Sequence, residues 1–147
     1  MSNVILFSIG FTKKPAQEFF SILELNKIKL VVDIRLNNSS QLAAFTKQDD
    51  LKFFLRRILN CGYIHMPRFA PTDEILRNYK TKSITWANYE AGYKKLLLDR
   101  SPCKSMTAEE FDHACLLCSE PTPEHCHRRL AAEYISQHYG NIAIKHI

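Results

Sequence analysis

The sequence predicts an α/β domain, a three-layer sandwich with a mostly parallel sheet of about five strands and a helical insertion between strands three and four. Short apolar runs alternate along the chain with segments of helical periodicity, and one helix separates the first two runs, as in a βαβ unit. A length of 147 residues is enough for one hydrophobic core, so we expect a single domain over residues 1–147. A hydrophobic content of 46% excludes a wholly disordered chain.

The first half of the chain alternates strands with helices. The apolar run at 4–9 ends at Gly10 and predicts a buried strand. Pro15 starts a helix that ends near Lys27, and residues 28–34 form the second apolar run. Helical spacing returns at 51–59, and we expect Cys61-Gly62 to end that helix.

The second half continues the alternation and adds the helical insertion. Its predicted elements are a strand at 63–66, helices at 72–80 and 86–99, a short helix at 107–112, a strand at 114–118, a helix from 122 to about 138 and a strand at 142–144. The aromatic residues of the 86–99 helix, Trp86, Tyr89 and Tyr93, are interpreted as core residues rather than as a binding stripe.

Charge and cysteine content limit the class of partner and the compartment. The net charge is +5, and the first 60 residues hold nine basic against five acidic side chains. This excess suits an anionic small molecule or a nucleic acid, although a solvated basic surface is the simpler reading. The five cysteines are expected to be reduced thiols of a cytoplasmic protein, because neither a signal peptide nor a membrane span is evident. The sequence identifies neither a cofactor nor an oligomeric state.

Polar residues follow four of the predicted strands. In parallel sheets the carboxyl ends of the strands meet at one edge, where ligands bind, so these residues are expected to converge. The strand ends are 8–12, 33–35, 65 and 118–120, and they carry the residues Ser8, Gly10, Asp33, Arg35, His65, Cys118 and Glu120.

Several of these segments resemble a known family, the proteins grouped as domain of unknown function 488. The resemblance is carried by Ser8-Ile9-Gly10-Phe11-Thr12, Val32-Asp33-Ile34-Arg35, the stretch 62–67, and above all Leu116–Glu120 followed by Cys126-His127-Arg128. The chain departs from the family at Phe11, where the family usually has His, and at 36–40, where it usually has Pro with further Ser or Arg. The resemblance implies an α/β domain with an active site but no particular reaction.

The last helix adds further candidates. At 100° per residue His127 falls in the middle of its apolar stripe, so it faces the sheet, while Cys126 and Arg128 lie at the edges of the stripe. His127 is a candidate acid, base or ligand-orienting group, or a structural histidine that bonds a loop carbonyl. Arg35 and Arg128 are candidates for an anion clamp, with pairing of Arg35 to a carboxylate as the alternative.

The sequence bears on three other kinds of site: a pair of catalytic carboxylates, a CxxC metal site and a phosphatase loop. Asp33 and Glu120 suit carboxylate chemistry such as cleavage of a glycosidic bond, with structural ion pairing as the alternative. Cys115 and Cys118 have CxxC spacing, but in a strand they point to opposite faces, so they are expected to stay unbridged. A phosphatase loop is disfavoured because neither Cys118 nor Cys126 has an arginine at the required spacing.

The leading hypothesis is an enzyme, such as a hydrolase or a glycosidic-bond-cleaving enzyme, that binds a phosphate-bearing small molecule, a nucleotide or a nucleic-acid end. Its catalytic candidates are Asp33, Cys118, Glu120 and His127, and its substrate-binding candidates are Ser8, Gly10, Arg35, His65, Cys126 and Arg128, with no metal ligand assigned. The alternatives are a non-catalytic module that binds nucleic acid or a protein, and a metal-binding domain built on Cys118, Cys126 and His127.

Overall fold

Five parallel strands form one sheet at the centre of the computed structural model, which describes residues 3–37, 44–120 and 122–147. The strands are β1 (Val4–Gly10), β2 (Leu30–Asp33), β3 (Gly62–His65), β4 (Ala114–Cys118) and β5 (Ile142–His146), in the spatial order β3-β2-β4-β1-β5. Every neighbouring pair is parallel, so the α/β class and the parallel sheet of five strands are confirmed.

Five α-helices in the described part of the chain connect the strands. They are α1 (Ala16–Leu25), α2 (Gln48–Phe54), α3 (Asp73–Lys80), α4 (Trp86–Arg100) and α5 (His127–Tyr139), and α3 and α4 both lie between β3 and β4 in the chain. Single 3₁₀ turns occupy 44–46, 67–69 and 108–111. No helix in the described part of the chain is both long enough and apolar enough to pass through a bilayer.

Helix boundaries differ from the expected ones where local geometry decides them. Pro15 is the residue before α1 rather than its first residue, and α5 begins at His127, five residues after the expected start. The helix α2 runs on as a π-helical turn (Leu55–Leu59) and ends at Asn60, whose φ of 50° is left-handed, so Cys61-Gly62 does not end it. The departure from the family pattern at 36–40 lies partly outside the described residues.

Two hydrophobic clusters use alternate residues of the same strands. One contains Phe7 and Ile9 of β1 and packs against α1 and α2, whereas the other contains Leu6 and Leu116 and packs against α4 and α5. Because neighbouring side chains of a strand point to opposite faces, the central strands belong to both clusters. This packing fixes the carboxyl edge of the sheet, where the polar strand ends lie.

Candidate functional site

The register of the sheet brings the polar strand ends together. Gly10 of β1 pairs with Cys118 of β4, and Asp33 of β2 pairs with both Leu117 and His65. Backbone hydrogen bonds continue past the strands, since the Thr12 amide donates to the Ser119 carbonyl at 3.0 Å. The ends of β1 to β4 therefore form one continuous edge.

Asp33 and Arg35 form a buried ion pair at this edge. The Arg35 Nε donates to Asp33 Oδ1 at 2.9 Å and its Nη2 donates to Oδ2 at 2.8 Å, while Nη2 also donates to the Thr46 carbonyl at 2.6 Å. The Tyr63 hydroxyl donates to the same carboxylate, and the Phe11 ring lies 5.5 Å from the guanidinium carbon. Asp33 is fully buried, and its contacts with Arg35 are those of a structural ion pair, the alternative to an anion clamp.

Arg128 is also held by the protein itself. Its side chain is only 1% exposed, its Nε donates to Ser8 Oγ at 3.1 Å, and its Nη1 donates to the backbone carbonyl of Glu120. The Ser8 hydroxyl also contacts Nδ1 of His146. Arg128 therefore ties β1 and the segment after β4 to α5, and Ser8 links β1 to β5.

Gly10 and His65 contribute to the same support. The Nε2 of His65 donates to the backbone carbonyl of Arg35 at 3.0 Å. A Cβ at position 10 would lie 1.6 Å from the Glu120 carbonyl oxygen, so the approach of the two chain segments requires glycine. Five candidates lie at this edge without lining the pocket described next: Ser8, Gly10, Asp33, His65 and Arg128.

A pocket of about 130 Å³, here called the strand-end pocket, opens at this edge. The other five candidates line it: Arg35, Cys118, Glu120, Cys126 and His127. Pockets for drug-sized ligands usually measure about 300–1,000 Å³. The strand-end pocket is therefore sized for one end of a ligand, such as a phosphate group or a single ring.

Residues of α3 and α4 form an aromatic wall on the strand-end pocket. Trp86 and Tyr89 stack with their ring centres 5.0 Å apart, Tyr79 packs on both, and His125 lies 5.0 Å from the Trp86 ring. Lys80 lines the same pocket. Burial raises the pKa of Tyr89, so its hydroxyl stays protonated at neutral pH.

The aromatic wall could not be predicted from the sequence. Tyr89 is buried as expected, but Trp86 and Tyr89 also face the strand-end pocket. The spacing of the aromatic residues indicates a helix face, and nothing in that spacing tells whether the face covers core or pocket. The exposed positions of Lys80 and His125 carry no sequence signal either.

The cysteines divide into two groups. Cys118 and Cys126 form a disulfide, so the expectation that all five cysteines are reduced thiols is wrong for these two. Cys115 is free and packs in the cluster against α1 and α2, so its predicted separation from Cys118 is confirmed. Burial raises the pKa of both Cys61 and Cys103 to about 11.

His127 lies beside the cysteine pair. Its Nε2 donates to the Ile34 carbonyl at 2.7 Å, and its Nδ1 lies 3.8 Å from Cys118 Sγ. Burial lowers the pKa of His127 to about 4. The ligand atoms of Cys118, Cys126 and His127 all lie within 4.8 Å of one another at the buried end of the strand-end pocket.

Comparison with known proteins agrees with the motifs at this edge. No curated protein and no solved structure matches the chain. The family model described as Domain of unknown function DUF488 matches residues 15–135, a range that includes the ends of β2, β3 and β4 and the first turns of α5. The chain therefore belongs to the family of the domain of unknown function 488.

Proposed function

We propose that the protein is an enzyme that binds one end of a phosphate-bearing small molecule with a planar ring, such as a nucleotide, in the strand-end pocket. The observation that carries the proposal is the joint presence of an aromatic stack and cationic side chains in one pocket. Trp86, backed by the buried Tyr89, lines the pocket with its ring, and Lys80 supplies positive charge beside the Arg35–Asp33 pair. Aromatic stacking is worth about 1–3 kcal/mol per base.

The charges suit a phosphate held without an arginine clamp. Both arginines of the expected clamp already donate to protein acceptors, and only Arg35 lines the strand-end pocket. Lys80 is exposed at the end of α3 and is placed to meet a phosphate at the mouth. We therefore assign the main charge contact to Lys80, because the charge of Arg35 is already paired with Asp33.

The proposed reaction is hydrolysis, with Glu120 as the group that activates water. Asp33 is unsuited to this role because both of its carboxylate oxygens accept hydrogen bonds in a buried ion pair. Glu120 lines the strand-end pocket and is exposed. Glu120 takes a proton from water, and the hydroxide adds either to the anomeric carbon, which breaks the C–N glycosidic bond, or to phosphorus, which breaks the P–O ester bond. The proton then passes from Glu120 to the leaving nitrogen or oxygen, so the carboxylate is restored.

Binding of AMP, adenosine and inorganic phosphate tests the proposal. Trp86 is the only tryptophan, so its fluorescence reports occupation of the strand-end pocket. We expect AMP to quench it and Lys80→Ala to weaken AMP binding about tenfold or more, since a charge-assisted contact contributes about 1.5–3 kcal/mol. Lys82→Ala is the control, because Lys82 is exposed two residues away and does not line the pocket.

The reaction is tested on the same ligand by chromatography of AMP after incubation with the wild type and Glu120→Gln. We expect adenine with ribose 5-phosphate, or adenosine with phosphate, from the wild type, and loss of product from the variant without loss of AMP binding. Absence of AMP binding, or equal loss of binding in Lys80→Ala and Lys82→Ala, contradicts the binding proposal. Product formation that survives Glu120→Gln contradicts the role of Glu120.

A further inference from the structure

Three metal-type ligands meet at the buried end of the strand-end pocket. Cys118 stands at the end of β4, Cys126 is the residue before α5, and His127 is the first residue of α5. Their ligand atoms lie within 4.8 Å of one another. In a tetrahedral zinc site with bonds of about 2.0–2.3 Å, neighbouring ligand atoms lie roughly 3.5–3.8 Å apart, so small side-chain shifts are enough.

The imidazole of His127 is already oriented for such a role. Its Nε2 faces the Ile34 carbonyl at 2.7 Å, and a carbonyl only accepts, so Nε2 carries the proton. The lone pair of Nδ1 then points towards Cys118 Sγ, 3.8 Å away. Histidines that bind metals are commonly fixed by this kind of hydrogen bond from the other ring nitrogen.

We propose that, with the Cys118–Cys126 disulfide reduced, Cys118, Cys126 and His127 bind one zinc-type divalent cation whose fourth position opens to the strand-end pocket. The inference goes beyond nucleotide binding and does not depend on it. Two cysteines and one histidine with an open fourth position form a ligand set that occurs in catalytic zinc sites. Cys118 and His127, expected to be catalytic, then hold the cation, and Cys126 joins them.

The redox step balances with a dithiol reductant. The dithiol transfers two electrons and two protons to the Cys118–Cys126 bond, which becomes two thiols while the dithiol becomes a disulfide. The cation then displaces the two thiol protons as it binds. Oxidation of the pair removes two of the three ligands, so the disulfide and the bound cation exclude each other.

Titration with Co²⁺ and then Zn²⁺ tests the site on the full chain, kept reduced with a phosphine. We expect one equivalent of Co²⁺ to bind with a thiolate-to-cobalt charge-transfer band, and Zn²⁺ to remove the band by displacement. A thiol count under denaturing conditions should give all five cysteines in the reduced sample. In the sample with the Cys118–Cys126 disulfide we expect three free thiols and no band.

Variants assign the ligands. We expect Cys118→Ser and Cys126→Ser each to weaken Zn²⁺ binding by at least about a hundredfold and to reduce the band, and His127→Gln to weaken it at least about tenfold while the thiolate band remains. Cys115→Ala is the matched control, since Cys115 lies on β4 with its side chain on the other face. Serine is a preferred residue at the position before a helix, so Cys126→Ser should fold even if Cys118→Ser does not.

Two results overturn the inference. One is failure of the reduced wild type, with five titrated thiols, to bind Co²⁺ or Zn²⁺. The other is binding that Cys126→Ser and His127→Gln leave unchanged, or that the oxidised sample retains.

Discussion

Gly10 is the residue at which the site depends most on backbone geometry. A Cβ there would lie 1.6 Å from the Glu120 carbonyl oxygen and 2.7 Å from Arg128 Nη1. The first contact is with backbone, so β1 or the segment after β4 must move. The absence of a side chain at this one position allows Arg128 to join the strand ends.

Gly10→Ala is therefore expected to lower the free energy of unfolding by about 3 kcal/mol or more. The control is Gly92→Ala, where the new Cβ meets only Ile75 Cδ1 at 3.6 Å and the helix α4 gains a better helix former. Urea denaturation of both variants measures the difference. Equal stabilities of the two variants would contradict the close approach at Gly10.

The Asp33–Arg35 pair gives the second prediction for single residues. Asp33→Asn leaves the Arg35 charge buried without its carboxylate, and breaking such a pair usually costs about 3–5 kcal/mol. Asp73→Asn is the control, because the Asp73–Arg77 pair is 71% and 61% exposed and its loss should cost less than about 1 kcal/mol. Thermal unfolding ranks the two variants, and a similar loss in both would show that the buried pair is not the dominant contact.

Some contacts of single residues could be predicted from the sequence, and others could not. The convergence of the strand ends followed from the parallel sheet, and Asp33 and Arg35, two residues apart in extended chain, share a face. The partners of Arg128 were not predictable, because Ser8 lies 120 residues earlier in the chain. The pairing of Cys118 with Cys126 depends on where β4 ends relative to α5, which no local pattern specifies.

At the scale of elements, α4 carries Trp86 and Tyr89 of the aromatic wall, and its first turn is capped. Thr85 precedes the helix, and its Oγ1 accepts from the Asn88 amide at 3.2 Å. Thr85→Ala should lower the free energy of unfolding by about 1 kcal/mol, whereas Thr85→Ser keeps the acceptor and should stay within a few tenths of the wild type. Urea denaturation of the three proteins checks this, and a serine variant as unstable as the alanine variant would exclude the cap as the cause.

Asp112 joins the approach to β4 to the first strand. Its Oδ1 accepts from the Ile5 amide at 3.1 Å and lies 3.0 Å from His113 Nδ1. The Ile5 hydrogen bond, with His113 beside it, holds the pKa of Asp112 below its ordinary value. The folded state therefore favours the ionised form of the Asp112 carboxyl over the protonated form.

The lowered pKa of Asp112 makes the stability of the protein depend on pH in the acid range. The unfolded carboxyl has a pKa of about 3.9, so near this pH the unfolded chain binds more protons and stability rises with pH. We expect the wild type to exceed Asp112→Asn in stability above about pH 5, by less than about 1 kcal/mol, and the difference to vanish as pH falls through the lowered pKa. Urea midpoints at several pH values measure it, and a constant difference would contradict the assignment.

The bounds of single helices could be predicted from the sequence better than the order of the strands in the sheet. Helical spacing located α3 and α4 to within one residue, because a periodic apolar stripe is a local property. The strand order β3-β2-β4-β1-β5 is a property of distant pairings. The wall on the strand-end pocket depends on that arrangement, so the sequence identified the edge and missed the residues that close over it.

At the scale of the whole molecule, the family match does not coincide with the structural unit. The match covers residues 15–135, but β1 and β5 lie outside it. β1 nevertheless sits inside the sheet, between β4 and β5. Since β1 also contributes to both hydrophobic clusters, the sheet and its core extend beyond the matched segment.

The shared strands predict that the protein unfolds as one unit, as a single domain over residues 1–147 would. Leu23 of α1 is fully buried in the cluster against α1 and α2, whereas Trp86 packs against the other cluster. Leu23→Ala should cost about 2–5 kcal/mol. Because β1 and β4 contribute to both clusters, one cluster cannot unfold while the other stays intact. Trp86 fluorescence and far-UV circular dichroism should therefore report the same lowered urea midpoint.

The control is Leu25→Ala, in the same helix at a side chain that is 81% exposed. This variant should keep a free energy of unfolding within about 0.5 kcal/mol of the wild type by both measurements. A fluorescence midpoint that stays at the wild-type value in Leu23→Ala, while the circular dichroism midpoint falls, would show two separately melting halves.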